Sequence, residues 1–316
     1  DMKNNLVRTT ERLIVSATLL LYIFASPIFA AESVEASPNE PPKDAVIAEF
    51  PFERSEEPNR VYIDLAPEGQ PPFIMLLDTG ANTSVITPRM ARKMKISVRR
   101  LKSSPYRRKT SLGRDVQFWV DTQTSDTGSK TGWEYGLLGG DFLDDYVVEI
   151  DFPGRRVRFL DPKKYAVPKT TAEPDTAIVP LKHSGTRFTV PIELDGKPLW
   201  VLFDTGAPVG LIVSGKALKK IGLGDVVLEE FGEVGTTLGP MEAKRYEAQS
   251  LRLGTFDFDD FPVLVAPKGA YNIAGTNDSI LGYDAMAPFI MRIDYKRKRI
   301  WIERKMDLKT AHNLLD

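Results

Sequence analysis

The chain has 316 residues, 42 Lys plus Arg against 43 Asp plus Glu, and 42% apolar side chains. This describes a globular protein, long enough for one large domain or two of about 130 to 150 residues. A charge balance this even leaves no overall basic footprint, so nucleic acid is not expected as a partner. The lack of cysteine removes disulfides, thiol nucleophiles and thiolate metal sites, and the two histidines, His183 and His312, do not furnish a multi-histidine centre.

At the N-terminus, Lys3, Arg8 and Arg12 precede a run from Leu13 to Ala25 that is apolar apart from Ser16 and Thr18, followed by Ser26-Pro27-Ile28-Phe29-Ala30. The pattern predicts a signal peptide over residues 1–30 and an exported protein, periplasmic or secreted. Its competitor is an uncleaved anchor, because Leu13 to Ala31 carries no charge and is about as long as a bilayer requires. Membrane association is expected only in that second case. Residues 31–59, broken by Pro38, Pro41, Pro42, Pro51 and Pro58, predict an extended lead-in.

The rest of the chain is organised by an internal repeat. Phe73-Ile74-Met75-Leu76-Leu77 runs into Asp78-Thr79-Gly80-Ala81, and Leu199-Trp200-Val201-Leu202-Phe203 runs into Asp204-Thr205-Gly206-Ala207, an offset of 126 residues. Upstream of each, Val61 to Leu65 and Val190 to Leu194 alternate with period two and turn at Gly69 and Gly196, so each half opens with a hairpin. Downstream, Pro88 to Met94 and Ser214 to Lys220 predict matching short helices, with Thr87 and Ser214 as N-caps. Thr110-Ser111-Leu112-Gly113 answers Thr236-Thr237-Leu238-Gly239 at the same offset.

Past that point the offset becomes 143: Leu137-Leu138-Gly139 matches Ile280-Leu281-Gly282, and Tyr146 to Asp151 matches Phe289 to Asp294. The 17 extra residues of the second half fall around Leu251 to Gly254 and Phe261 to Val265, which predict an additional hairpin. Closing hairpins are expected to turn at Pro153-Gly154 and at Lys296 to Lys298. The expected layout is an N-terminal lobe over 60–161, a proline-marked linker over 162–176, a C-terminal lobe over 177–305 and a tail over 306–316. Short strands and frequent turns give a mainly β, two-lobed architecture.

An Asp at the end of a buried apolar strand, turned by Thr and Gly, presents a carboxylate where two lobes can meet. Supplied twice, it makes a pair that cannot both ionise at close range, so one carboxyl keeps a proton while the other acts as a base toward a shared water. Gly80 and Gly206 allow close approach of the two loops, and Thr79 and Thr205 offer hydroxyls to brace them.

On these residues the chain resembles the aspartic peptidases: retropepsin-like in Ala81 and Ala207, and tandem like the two lobes of pepsin, over about residues 60 to 303. The resemblance implies a bilobal pepsin/retropepsin-like fold of two homologous β-barrel-like lobes. It implies Asp78 and Asp204 as catalytic dyad, Thr79, Gly80, Thr205 and Gly206 as their support, and flaps around Leu112, Gly113, Leu238 and Gly239. The implied substrate is an extended polypeptide, the implied state a monomer, and no cofactor or metal is called for. Asn82-Thr83-Ser84 after the first motif is typical, whereas Pro208-Val209-Gly210 after the second is not. An inactive peptide-binding or scaffolding protein that kept the fold therefore stands as the alternative to an active endopeptidase.

Other motifs read more simply. Asp126-Thr127-Gly128, a third copy, has polar surroundings and lies too near Gly139, so a loop turn is expected. Gly210 to Ala217 nearly matches a phosphate-binding loop but ends on Ala217 where a hydroxyl is needed. Arg107-Arg108-Lys109 and Lys296 to Arg299 read as solvated charge, and Asp257, Asp259 and Asp260 as a turn between strands. His183 has no serine partner in a nucleophile elbow.

Overall fold

The computed structural model describes residues 40–52, 59–69, 71–101, 105–110, 112, 115–120, 136–236, 239–267 and 279–307. The expected signal peptide and the third Asp-Thr-Gly copy lie outside the described residues. In the first half the elements are β1 (Val46–Pro51), β2 (Tyr62–Leu65), β3 (Phe73–Leu77), β4 (Val85–Ile86), α1 (Pro88–Lys93) and α2 (Val98–Leu101), then β5 (Tyr106–Lys109), β6 (Asp115–Val120), β7 (Gly136–Leu138), α3 (Gly140–Leu143), β8 (Val147–Asp151) and β9 (Arg156–Leu160). The second half holds β10 (Thr176–Pro180), β11 (Lys182–Ser184), β12 (Arg187–Leu194), β13 (Lys197–Phe203), β14 (Leu211–Ser214) and α4 (Gly215–Lys220). It continues with β15 (Glu229–Thr236), β16 (Gly239–Leu253), β17 (Phe256–Ala266), β18 (Ser279–Leu281), α5 (Tyr283–Met286), β19 (Phe289–Asp294) and β20 (Arg299–Arg304).

Each half builds its own sheet around the apolar strand that leads to its Asp-Thr-Gly loop. The first has the order β2-β3-β7-β4-β6-β5, the second β11-β12-β13-β18-β14-β17-β16-β15. Met75, Leu76 and Leu77 are buried on both faces of β3, as are Val201, Leu202 and Phe203 in β13, which is what a continuous apolar run requires of a central strand. In both sheets a short strand threads beside it: β7 runs parallel to β3 and antiparallel to β4, and β18 runs parallel to β13 and antiparallel to β14. The Asp195-Gly196 turn between β12 and β13 has φ of 46° and 70°, the doubly left-handed geometry that a two-residue hairpin needs and that glycine adopts without strain.

The paired helices form where their caps say they should. Thr87 Oγ1 accepts the Met90 N–H at 3.1 Å ahead of α1, and Ser214 Oγ accepts the Ala217 N–H at 3.1 Å ahead of α4. Each cap satisfies an amide that a helix start leaves open, worth about 1 kcal/mol.

A third sheet joins the halves in the order β1-β9-β8-β19-β20-β10. β8 and β19, buried along their whole length, pair across the boundary with Arg292 opposite Glu149. Glu149 is fully buried and accepts from Arg158 Nε and Arg292 Nε, each at 2.5 Å, while the Arg292 guanidinium lies 4.0 Å over the Trp301 ring. A buried carboxylate is tolerated only with such partners. The lead-in contributes to this sheet: β1 pairs with β9, so part of 31–59 is a strand. Asp257, Asp259 and Asp260 also differ from the expected turn. They lie in β17, whose hairpin with β16 turns earlier, at Gly254-Thr255, and Asp257 faces Arg252 in register, with the Arg252 Nε at 2.6 Å. Among the described residues no helix is long and apolar enough to cross a membrane.

Candidate active site

Both Asp-Thr-Gly loops leave their central strands at the same point in the hydrogen-bond ladder. The Asp78 amide donates to Leu138 O at 3.0 Å and the Asp204 amide to Leu281 O at 2.9 Å, so the threaded strands β7 and β18 hold the start of each loop. Each Asp then accepts from the amide two residues on: Gly80 N–H to Asp78 Oδ1 at 2.8 Å and Gly206 N–H to Asp204 Oδ1 at 2.9 Å. Carboxylate orientation is thereby set within each loop before the two loops meet.

The threonines then tie the loops to each other. Thr79 N–H donates to Thr205 Oγ1 at 3.2 Å and Thr205 N–H to Thr79 Oγ1 at 3.1 Å. Thr79 Oγ1 donates in turn to Phe203 O at 2.8 Å, and Thr205 Oγ1 to Leu77 O at 2.6 Å. Every donor in this square has its acceptor, and both threonines are fully buried. The expected brace residues are thus brought together across the boundary between the halves.

The glycines are the condition for that approach. A Cβ on Gly80 would stand 2.4 Å from Asp204 Cγ, and one on Gly206 would stand 2.8 Å from Asp78 Cγ. The same distances show that each carboxyl is packed against the opposite loop. Burial, then the Asp204 charge and hydrogen bond, push Asp78 well above the ordinary carboxylate range. Burial also raises Asp204, but the Gly206 amide, the hydrogen bond from Asp78 and, more weakly, the Arg60 charge pull it back. Such a pair binds one proton between its two members, and the causes above push Asp78 up further than Asp204.

Behind the loops the halves differ. In the first, Asp141 Oδ1 accepts from Ser84 N–H at 2.8 Å and Ser84 Oγ at 2.7 Å, and that hydroxyl accepts the Gly139 amide at 3.0 Å. In the second, Gly210 stands at the position of Ser84 and Asp284 at that of Asp141. Asp284 Oδ1 is buried with no hydrogen-bond partner, and burial alone pushes its pKa up to about 7. A side chain on Gly210 would meet the Phe261 ring at 2.7 Å, so the aromatic occupies the space a hydroxyl would need.

A second asymmetry concerns the turns that cap the loops. Thr186 Oγ1 donates to Asn82 O at 2.7 Å and the Thr186 amide to Asn82 Oδ1 at 3.2 Å, so the β11–β12 turn clamps the first loop. At the equivalent turn of the first half the residue is Arg60, after Asn59 with φ of 66° where the second half has Gly185 with φ of 68°. Sequence reading missed Arg60, Asp141, Thr186 and Asp284, and had Ser84 only as part of the typical Asn82-Thr83-Ser84 segment. Comparing the halves at offsets 126 and 143, residue by residue, carries the signal for all of them.

Of the flap residues, Leu112 is buried and its amide donates to Thr110 Oγ1 at 3.2 Å, while Gly239 opens β16 opposite Thr236. Gly113 and Leu238 lie outside the described residues. Among those described, no cluster of three or more His, Asp or Glu side chains could hold a metal ion. His183 sits on β11 with Nε2 3.0 Å from Tyr295 O.

Residues 190–285 match the family described as aspartyl protease. In fold, the chain is similar to an aspartic proteinase from Irpex lacteus at 11% identity and a TM-score of 0.50, covering 84% of this chain and 99% of that one. A retropepsin-like aspartic protease from Rickettsia conorii aligns at 17% identity with a TM-score of 0.32, over 41% of this chain and 93% of that one. Basic 7S globulin from soybean aligns at 9% identity with a TM-score of 0.43, over 83% and 95%. No curated protein matches the chain in sequence. Residues 190–285 thus match the aspartyl protease family, and the chain as a whole has the bilobal β fold of an aspartic proteinase, with its two Asp-Thr-Gly loops bound to each other through their threonines.

Proposed function

We propose that the protein is an exported aspartic endopeptidase working as a single-chain pseudo-dimer. The observation that carries this reading is the closed square of hydrogen bonds between Thr79 and Thr205, which sets Asp78 and Asp204 against opposite loops. In the reaction, Asp204 as carboxylate takes a proton from a water shared by the pair. The water oxygen attacks the peptide carbonyl carbon, and protonated Asp78 gives its proton to the carbonyl oxygen, producing a tetrahedral diol. Collapse of the diol returns a proton to the leaving amine and breaks the C–N bond. An extended substrate would gain its backbone hydrogen bonds from the flap hairpins, in the manner of an added strand.

The test is digestion of a mixed peptide library by the purified protein from about pH 3 to pH 8, with Asp78→Asn and Asp204→Asn in parallel. Cleavage by the wild type that drops at least a thousandfold in both variants is the expected result. An unaffected single variant would sink the shared dyad. A second reading rests on Gly210 and the unpartnered Asp284 behind the second loop: a peptide-binding module without turnover. It predicts saturable peptide binding and no cleavage by well-folded wild type at any pH in that range.

A further inference from the structure

Strand register relates the two lobes differently from sequence spacing beyond their short helices. Val85 lies opposite Leu137 and Trp119, as Ile212 lies opposite Ile280 and Leu264, so β6 takes the place of β17 and Trp119 that of Leu264. The outer strands follow: Tyr106 faces Phe118 in β5–β6 as Tyr246 faces Val263 in β16–β17. The turn at Leu112-Gly113 then answers Leu253-Gly254. Thr110 bridges Pro67 beside the β2–β3 connection, as Leu251 pairs with Leu194 beside the β12–β13 turn, and Leu112 and Leu253 are both buried in the core. Spacing alone matches Leu112-Gly113 to Leu238-Gly239 and predicts a flap; the register makes it a turn packed on its own lobe.

What the second lobe has in addition lies before Tyr246. Residues 94–105 separate α1 from β5 and contain α2, whereas the longer stretch 221–245 separates α4 from Tyr246 and forms β15 and the start of β16. β16 pairs with β17 only as far as Lys244, opposite Val265, and beyond that with β15 alone, up to Thr236 opposite Gly239. The hairpin that carries the expected flap residue Gly239 thus has no counterpart among the described residues of the first lobe. The difference shows on the sheet faces beside the dyad. Leu202, two positions before Asp204, stands in a row with Ile280, Ile212 and Leu264 that continues through Arg245 and Glu229 of the extra hairpin. Ala207 and Val209, from the loop after Asp204, pack on that row, and its four apolar members are at most 8% exposed. Leu76, two before Asp78, stands in the matching row with Leu137, Val85 and Trp119, on the face opposite to the core residues Met75 and Leu77. This row ends at Trp119, which is 37% exposed, and Val85 and Leu137 are half-buried. It carries no charge, and it starts at the dyad, since Leu138, next to Leu137, accepts the Asp78 amide.

We propose that the β15–β16 hairpin is the one flap of the cleft, and that the first-lobe row it leaves uncovered, ending at Trp119, receives a large apolar side chain of the polypeptide substrate. This rests on the peptidase reading for its choice of a polypeptide, and it narrows the flap hairpins of that reading to one. An apolar side chain laid along the row takes Trp119, Val85 and Leu137 surface out of water together with its own, whereas a charged one loses hydration against a row that offers it no partner. The second-lobe row is already covered by Ala207 and Val209, so selection falls to the first lobe.

The experiment measures binding in the full chain carrying Asp78→Asn, so that it does not depend on turnover. The probes are a fluorescent ten-residue peptide of Ala, Ser and Thr with one central Phe, and its counterpart with Ala in that place. The Phe peptide is expected to bind at least about tenfold tighter. Trp119→Ala brings that preference below about threefold, and Trp119→Phe, which keeps an aromatic at the end of the row, retains it. Replacing Glu233 to Glu242 by Asn-Gly, between the paired Gly232 and Ala243, shortens the flap and weakens both peptides by about tenfold or more with their ratio kept. Two glycines added after Gly113 leave both affinities within about threefold, because that turn does not cover the cleft. Equal affinity of the parent chain for the two peptides overturns the proposal without recourse to any variant. So does a preference that survives Trp119→Ala, or a lengthened Leu112-Gly113 turn that costs as much binding as the shortened flap. Failure of the peptidase reading shows separately, as absence of cleavage by the unmodified chain.

Discussion

Thr79 and Thr205 do more at the site than any pair besides the two Asp residues. Each hydroxyl accepts one amide from the opposite loop and donates to one carbonyl of the opposite strand, so removing one leaves two buried backbone groups unpaired. An unpartnered buried group costs about 1–3 kcal/mol. Thr205→Val, which keeps the shape and loses the hydroxyl, is therefore expected to lower stability by about 2–4 kcal/mol in urea titrations and to reduce cleavage at least tenfold. Thr205→Ser keeps the bonds and should stay within about 1 kcal/mol of wild type. A loss in Thr205→Ser with Thr205→Val unchanged would mean that the methyl packing, not the hydroxyl, matters. Gly80→Ala tests the same contact from the other side, since its Cβ has 2.4 Å to Asp204 Cγ where van der Waals contact needs more. These residues were legible in the sequence because one geometry, used twice, demanded the same residues twice.

At the scale of elements, the two loop-and-helix units differ in how the carboxylate behind the loop is held. Asp141 is bonded to Ser84, whereas Asp284 on α5 has a buried oxygen without a partner. The loop over it, Ala207 to Gly210, carries no titratable side chain, Phe261 from β17 is neutral, and no nearby charge contributes to its shift. With a pKa of about 7 in the folded protein and about 3.9 in the unfolded chain, Asp284 is protonated in the folded state alone between those values. Its contribution to stability is thus full below about pH 4 and is lost as pH rises toward 7. Asp284→Asn should remove that slope and leave the variant about 1–3 kcal/mol more stable than wild type at pH 8. The dyad, also raised, keeps its own slope in both proteins, so the difference between them is the quantity to measure by thermal unfolding across pH. Identical pH profiles would show that Asp284 finds a partner in solution. Other pairings at this scale escaped sequence reading for a physical reason. Ser84 and Asp141 are 57 residues apart, and the pairing of β1 with β9 spans more than a hundred, so no local pattern encodes either. Hairpins and capped helices, whose partners are near in sequence, were readable. The Asp257 to Asp260 cluster was read as a turn because acidic residues favour turns, yet cross-strand pairing with Arg252 keeps Asp257 in β17.

The molecule as a whole is held by the sheet shared between its halves, and that sheet has a pseudo-two-fold axis through one residue pair. At the offset of 143, Ile290 opposite Asp151 maps onto Val147 opposite Asp294, and Met291 opposite Ile150 onto Val148 opposite Ile293. Arg292 opposite Glu149 maps onto itself with the partners exchanged. If two copies of the second lobe paired through β19, Arg292 would face Arg292 at a position only 2% exposed, with Trp301 as the neighbour across β20. Buried like charges cost several kcal/mol, whereas the Glu149–Arg292 pair is satisfied on both sides. The opposite charges at the axis thus select the lobe of the other kind. Two fragments divided between Asp161 and Thr176 and co-expressed are therefore expected to associate one to one. Residues 176–316 alone should give no stable homodimer in sedimentation, and Arg292→Met in that fragment should permit one by removing the repulsion while filling the space. A stable homodimer of the unmodified second half would show that the axis charges do not decide the pairing, and would make pairing between chains as available to this protein as pairing within one.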